Sequence, residues 1–352
     1  MYPPAGVYSD SYSKDMSVVR TKLQWALLIG LFILLLALPH FISDYLTTFV
    51  TNMVIMIIAV QGINLLTGYC GQITLGQAAF MMVGGFTSAI LTQRLGLSFW
   101  IALPCAALVT VAIGLFFALP SVRVKGLYLA LSTLAAQFII VWVVLLIPQL
   151  HAAQGFAAPP PRLWSIVIDS AQEFYYLTII IGALMIFFAK SIVRTALGRA
   201  FIAIRDNDLA AEAAGINIFH YKMIAFGICS FYAGIAGSLF AHYLGWIGTE
   251  SFTLMDSIWY VGMAIVGGLG SVVGPIFGVL LIAFLRQGVI LGGTMLEAVL
   301  PLSASGMSSS LSIIAFGLVL VVVLIWEPRG LAHRWEIFKS SMRLWPFNYW
   351  WG

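Results

Sequence analysis

Charge is what this sequence has least of. Of 352 residues only 17 are Lys or Arg and 13 are Asp or Glu, so that 9% are charged against 61% apolar. A soluble domain carries roughly 25% charged residues, and the polar side chains here are too few to cover a globule in water. That shortage excludes a soluble globular enzyme and a disordered chain. The net charge of +4 is clumped rather than spread into the exposed basic patch of a nucleic-acid binder, so no nucleic-acid partner is expected. Cysteine is also scarce: Cys70, Cys105 and Cys229 lie in or beside apolar runs, with neither metal-like spacing nor a disulfide framework, and read as packing residues. No phosphate-binding loop is present, since Lys190-Ser191 and Lys339-Ser340 lack the preceding glycines, and there is no H-E-x-x-H or G-x-S-x-G. Five scattered histidines (His40, His151, His220, His242, His333) suggest no ligand set. Nucleotide hydrolysis, metal binding and catalysis by this chain are therefore not expected.

What is present is a series of long uncharged runs. Residues 23–43, 45–93, 95–122, 126–161, 174–189, 223–249, 257–285 and 298–326 contain no Asp, Glu, Lys or Arg. A helix needs about 20 apolar residues to cross the hydrocarbon of a bilayer. The run 45–93 therefore holds two spans, broken near Gly68-Tyr69-Cys70-Gly71, and 287–326, interrupted only by Glu297, holds two more. This predicts an all-α polytopic membrane bundle of about ten helices (eight to ten), near 23–40, 46–67, 73–92, 98–119, 126–148, 172–190, 223–247, 257–285, 287–300 and 310–326. The segments 73–92 and 287–300 are short enough to be re-entrant. The runs lack the alternation of a membrane β-barrel.

Orientation follows from the Lys/Arg bias of short loops. With the N-terminus cytoplasmic, ten spans return the C-terminus to the same side, and 15 of the 17 basic residues fall there, Arg286 among them; Arg94 and Arg162 fall outside. Residues 1–22 read as a cytoplasmic tail rather than a signal peptide, 23–326 as the membrane domain, 190–222 as its longest cytoplasmic loop and 327–352 as a second tail. Carriers driven by ions or protons place ionisable groups in mid-membrane. Here Glu297 is the one candidate, and it fits equally the outer end of a short span, so the energy source is expected on another subunit.

Two patterns stand out. Within 190–222, Asp206, Asn207 or Asp208 can cap a short helix, Leu209 to Ala214 are good helix formers and Gly215 can close it. Its small alanines form a shallow face suited either to a groove on another protein or to the membrane surface. Elsewhere Tyr69, Gln72, Thr74 and Gln77 place neutral hydrogen-bonding groups among apolar residues, beside Gly68, Gly71 and Gly76. Irregular polar chain at depth must be enclosed by protein or line a water-filled cavity, so these residues fit a solute path or helix packing. Gly267, Gly268, Gly270 and Gly274 fit close helix approach; with no βαβ context they are not a nucleotide fingerprint.

Three of these blocks resemble one family. Arg205-Asp206-Asn207-Asp208-Leu209-Ala210-Ala211-Glu212-Ala213-Ala214-Gly215-Ile216 resembles the coupling loop of ABC importer permeases, in the form used by the LivM-type family of branched-chain amino acid transporters. Its E-A-A-x-x-x-G motif aligns on Gly215, which places Leu209 where the family has Glu and leaves Glu212 three residues later. Gly68-Tyr69-Cys70-Gly71-Gln72-Ile73-Thr74-Leu75-Gly76-Gln77-Ala78-Ala79-Phe80 is similar to G-Y-x-G-x-x-S-L-G-H-x-x-F, with Thr74 for Ser and Gln77 for His. Val266 to Gly278 is similar to V-G-G-x-G-S-x-x-G-P-x-x-G. The resemblance spans about residues 45–335.

The resemblance implies a permease subunit in a bacterial inner membrane, moving branched-chain or related amino acids by alternating access. It implies a second homologous permease subunit, two cytoplasmic ATP-binding subunits carrying ATP and Mg, and a periplasmic substrate-binding protein, with no cofactor on this chain. Arg205, Asp206, Asp208, Leu209, Ala210, Ala211, Glu212 and Gly215 then form the part that receives the ATPases. Relatives for urea, short amides or aromatic acids share these motifs. A self-sufficient carrier or channel is the alternative of a different class.

Overall fold

The computed structural model describes residues 22–121, 126–147, 155–163, 166–299 and 307–344. A backbone in lipid must satisfy its own hydrogen bonds, and the uncharged runs do so as helices. In chain order these are α1 (Lys22–Ala37), α2 (Asp44–Ile63, prolonged by a π turn, Asn64–Tyr69), α3 (Gln77–Gln93), α4 (Phe99–Ser121), α5 (Leu127–Leu145), α6 (Ala171–Arg194), α7 (Ala196–Asp206), α8 (Asp208–Ala213), α9 (Ile218–Leu244), α10 (Leu254–Gly267), α11 (Gly274–Val299), α12 (Met307–Trp326) and α13 (Leu331–Leu344). Two small antiparallel ribbons complete the described chain: β1 (Phe156–Ala157) pairs with β4 (Trp246–Ile247), and β2 (Arg162–Leu163) with β3 (Ile166–Val167).

The long helices α2 and α9 form the centre. α9 packs against α3, α4 and α2, while α2 also packs against α6, α10 and α11. Helix association in lipid depends on close packing rather than on expelling water, and the α3–α9 seam achieves it with glycine. A Cβ on Gly237 would overlap the Met81 carbonyl, and one on Gly84 would meet the Gly234 backbone. Hydroxyls tie other helices to backbone carbonyls: Tyr232 donates to Met185 at 2.8 Å, Tyr175 to Leu35 at 2.7 Å and Tyr243 to Thr48 at 3.0 Å. At one end of α9, His242 bridges Ser88 of α3 (2.9 Å) and the Pro159 carbonyl (2.7 Å), joining the loop that carries β1 to the bundle.

Five described helices are long and apolar enough to cross a membrane, and the pair Ile314–Trp326 and Leu331–Ser340, bent by 41°, makes a sixth if taken as one span. These are the spans found among the described residues, where several of the uncharged runs are also organised differently from the ten read from charge gaps. The run expected to cross at 73–92 begins as irregular chain and yields only the 17-residue α3. The spans expected at 257–285 and 287–300 are instead α10, of 14 residues, and α11, of 26. The boundary lies at Gly268–Val273, where Gly268 and Gly270 take φ of +109° and +79°, outside any right-handed helix.

Arg286, expected in a cytoplasmic loop at that boundary, is therefore inside α11. Its guanidinium lies 5.9 Å from the Trp259 ring centroid, and the adjacent Gln287 donates to Tyr45 Oη at 2.6 Å. Tyr45 stands at the start of α2, whereas Arg205 reaches Gly68 near the other end. The two cations thus belong to opposite ends of the bundle. Glu297 falls in the last turn of α11. The tail expected at 327–352 folds as α13 as far as Leu344; the tail at 1–22 (apart from Lys22), Arg123 and Lys125 lie outside the described residues.

The seam predicts a graded response to bulk. Gly237→Leu should lower the thermal unfolding midpoint of the detergent-solubilised protein by several degrees, in line with about 1–3 kcal/mol for overpacking. Gly317→Leu, with no atom within 4 Å of its Cβ position, should leave the midpoint unchanged in the same assay.

Candidate functional site

The segment expected as a loop from Lys190 to Lys222 is mostly helical. Thr195 (ψ 177°) and Asn207 (φ −161°, ψ 109°) adopt extended backbone and divide it into the end of α6, α7, α8 and the start of α9. Of the three candidate caps, Asn207 is the one used: its side chain accepts from the Ala210 N–H at 3.1 Å. Asp206 closes α7, and Asp208 in the first turn of α8 faces Lys222 Nζ at 3.6 Å. At the other end the Gly215 N–H donates to the Glu212 carbonyl (2.9 Å) and the Ile216 N–H to the Ala211 carbonyl (3.0 Å). These two bonds form a Schellman motif, with Gly215 at φ +84°. The short helix therefore spans Asp208–Ala213, because both ends are stopped chemically.

Ala211 is the inward residue of α8, whereas Leu209 is 73% exposed and Ala210 and Glu212 also face outward. Beside them an open groove of about 570 Å³ is lined by Asp208, Leu209, Glu212, Ile216, Phe219 and Lys222. An exposed leucine and phenylalanine flanking small residues make a surface that a complementary protein can cover.

The three sequence blocks converge just inside α8. Arg205 Nη1 donates to the Gly68 carbonyl at 2.9 Å. One turn earlier on α2, Asn64 accepts from the Gly270 N–H at 2.9 Å and donates to the Ser271 carbonyl at 2.8 Å. A Cβ on Gly68 would overlap both Asn64 Oδ1 and Gly270 N, so glycine is required by close approach at this point. Gly71 lies against the Arg205 stem, and Gly267, Gly268 and Gly274 bring the ends of α10 and α11 together at the same junction. Asn64 was missed in the sequence, although a lone Asn in an apolar run beside a glycine break is the signal that could have found it.

Tyr69, Gln72, Thr74 and Gln77 are all buried, and most of their polar groups are committed within the chain. Gln77 Nε2 donates to the Ala59 carbonyl at 2.9 Å, and its Oε1 accepts from Cys229 Sγ at 3.3 Å. Thr74 Oγ1 accepts from the Gly76 N–H at 3.3 Å, Tyr69 lies against the backbone of Val272, and Gln72 Oε1 has no protein partner. The start of α3 is enclosed by side chains from other helices: Thr133 takes the Leu75 N–H, Gln137 the Ala79 N–H and Ser257 the Ala78 N–H, each at 2.9 Å. Gln137 also accepts from Ser257 at 3.1 Å and donates to the Phe252 carbonyl at 3.1 Å. Ala59 is roughly ten residues from the Tyr69 end of α2, about 15 Å at helical rise, so α3 begins deep in the bundle. Among the described residues no three His, Cys, Asp or Glu side chains are grouped to hold a metal.

Comparison with known proteins places these features in a lineage. Residues 42–324 match the family described as branched-chain amino acid transport system / permease component. The high-affinity branched-chain amino acid transport system permease protein LivM of Escherichia coli (strain K12) is 28% identical over 344 residues, 90% of this chain and 76% of the relative. The probable branched-chain amino acid transport permease protein LivM of Methanocaldococcus jannaschii is 25% identical over 247 residues, 69% of this chain and 70% of the relative. A stretch of 130 residues, 36% of this chain and 37% of the relative, is 28% identical to the autoinducer 2 import system permease protein LsrC of Escherichia coli O9:H4. No solved structure matches the chain.

Two outcomes follow from the junction. Asn64→Ala strands a part-buried N–H and a carbonyl and should cost about 1–3 kcal/mol, read as a fall in the unfolding midpoint. Burial pushes the Cys70 thiol up to about 12, with nearby Lys222 opposing and Asp208 adding to the shift. Thiolate is the reactive form, so at pH 8 maleimide labelling of Cys70 in the folded protein should run at least ~100-fold slower than that of a free cysteine peptide.

Proposed function

The chain belongs to the family of permease components of branched-chain amino acid transport systems, and we propose that it is the membrane subunit of an ABC importer for branched-chain or related amino acids. The observation that carries this reading is α8: a six-residue helix stopped at both ends, with Leu209 exposed beside an open groove and Ala211 seated on the bundle. Such a helix is a rigid contact rather than a slack loop. In this reading Leu209, Ala210 and Glu212 meet a cytoplasmic ATP-binding subunit, while Arg205, Asp206, Asp208, Ala211 and Gly215 hold the helix to the membrane domain. The chain itself hydrolyses nothing. ATP and Mg reside on two partner subunits, a second homologous permease completes the pathway, and a periplasmic protein delivers the substrate.

The remaining assignments belong to the same reading. The membrane domain is 23–326 in a bacterial inner membrane, with 190–222 and both tails (1–22 and 327–352) cytoplasmic, and transport proceeds by alternating access. Tyr69, Gln72, Thr74 and Gln77 border the path, Gln72 Oε1 being the one of their buried polar atoms without a protein partner among the described residues, and the weak electrostatics of the spans suit a neutral or zwitterionic solute with an apolar side chain. The poverty of titratable groups in the helices supports an external energy source. A second solute class has one specific support, the similarity to a permease named for autoinducer 2 import.

Three measurements test these statements. Ala210→Arg and Leu209→Glu should abolish co-purification of the ATP-binding subunits while membrane insertion stays at native levels; undiminished co-purification would remove α8 from the interface. Calorimetric titration of the associated binding protein should show affinity for leucine, isoleucine or valine, and exclusive affinity for another solute would reassign the cargo. Liposomes holding the purified chain alone should move no leucine under an imposed ion gradient.

A further inference from the structure

We propose that Arg205 is the positioning residue through which a displacement of α8 reaches the broken end of α2; this rests on the docking role given to α8 above. Arg205 lies in the last turn of α7, two residues before the Asn207 cap of α8. Its guanidinium spends Nε and Nη2 on the neighbouring Asp206 Oδ1 (3.0 and 2.9 Å), which fixes the plane of the group and aims Nη1 at the Gly68 carbonyl 2.9 Å away. That carbonyl is one of the last four of its helix, which have no partner within the helix, so the bond occupies an otherwise unserved acceptor.

The surroundings are shaped to receive this side chain. A Cβ on Gly71 would lie 3.1 Å from Arg205 Cγ, and one on Gly270 would lie 3.0 Å from Arg205 Nη1. The two glycine-rich blocks, more than a hundred residues apart in sequence, thus leave bare backbone on both sides of one arginine. From Gly68 the connection continues at once: Asn64, in the same π turn, grips Gly270 and Ser271 between α10 and α11. Movement of α7 and α8 is therefore passed to α2 and to the α10–α11 connection together. The ion pair of Asp208 with Lys222 at 3.6 Å ties α8 to the continuous helix α9. Arg205 reaches the place where two are interrupted.

The test uses the complete transporter in proteoliposomes, with radiolabelled leucine presented on the binding protein and ATP hydrolysis measured in the same vesicles. With Arg205→Ala, the ATP-binding subunits should co-purify at native stoichiometry and leucine uptake should fall at least ~10-fold while hydrolysis falls less than ~3-fold, so that ATP consumed per leucine rises. Arg205→Lys, which keeps one cationic donor, should restore uptake to within ~3-fold of native. A purely structural defect lowers uptake and hydrolysis in parallel, and an unchanged ratio overturns the proposal. So does loss of ATP-binding subunits from Arg205→Ala alone, which would make Arg205 a docking residue. Failure of those subunits to associate with the native chain would instead strike the importer reading. Should Arg205→Ala not fold, Asp206→Ala, at an exposed side chain that merely orients the guanidinium, should raise the ratio ~2–5-fold, and no rise overturns the proposal.

Discussion

A helix that starts away from water must find partners for its first amide protons, and much of this architecture depends on how α3 meets that requirement. The first four N–H groups of any α-helix lack partners within it, and in an apolar surrounding each unserved group is costly. Here the donors around the start of α3 are served by Thr74 from the preceding turn, by Thr133 and Gln137 of α5 and by Ser257 of α10. Gln137 and Ser257 are bonded to each other, and Gln137 also holds the Phe252 carbonyl just before α10. The starts of α3 and α10 are thereby placed against one another. With α3 held there, its glycine face meets α9, and the irregular chain from Gly71 to Gly76 runs inward with the N–H groups of Gly71, Gln72, Leu75 and Gly76 bonded.

The same economy governs the opposite end of α2. Its terminal carbonyls and the connection between α10 and α11 are both irregular, and each serves the other through Asn64, with Arg205 entering from α7. Polar side chains are rare in this chain, and at this junction Asn64 and the Nη1 of Arg205 act on backbone, while exposed Asp206 holds the guanidinium in place. The arrangement joins three segments distant in sequence with few hydrogen bonds and no buried ion pair, avoiding the desolvation that buried charge would carry.

Sequence reading succeeded where one local rule decided the outcome. Uncharged runs became helices because lipid permits little else, and the ends of α8 follow from Asn207 and Gly215, whose local hydrogen bonds stop a helix wherever they occur. It was less successful where the deciding contact was distant. Nothing local distinguishes Gly268 and Gly270, which turn the chain, from Gly84 and Gly237, which admit a neighbouring helix, so α10 and α11 were divided at the charged Arg286 instead. Gln77 shows the same limit: whether its amide faces a cavity or the Ala59 carbonyl depends on α2, eighteen residues away. The family motifs are local, but their meeting at Arg205 and Asn64 depends on contacts between segments far apart in the chain.

The enclosed start of α3 also bears on how the protein is made. Its capping groups emerge from the ribosome after the helix does: Thr133 and Gln137 follow 58 residues behind their donors, Leu75 and Ala79, and Ser257 follows 179 residues behind Ala78. Until those segments enter the bilayer, the residues around Gly76 have no partners at that depth and must remain near the aqueous boundary or against the insertion machinery. Biogenesis of this permease therefore has an order built into it, in which an early segment reaches its final place only when a much later one arrives to receive it.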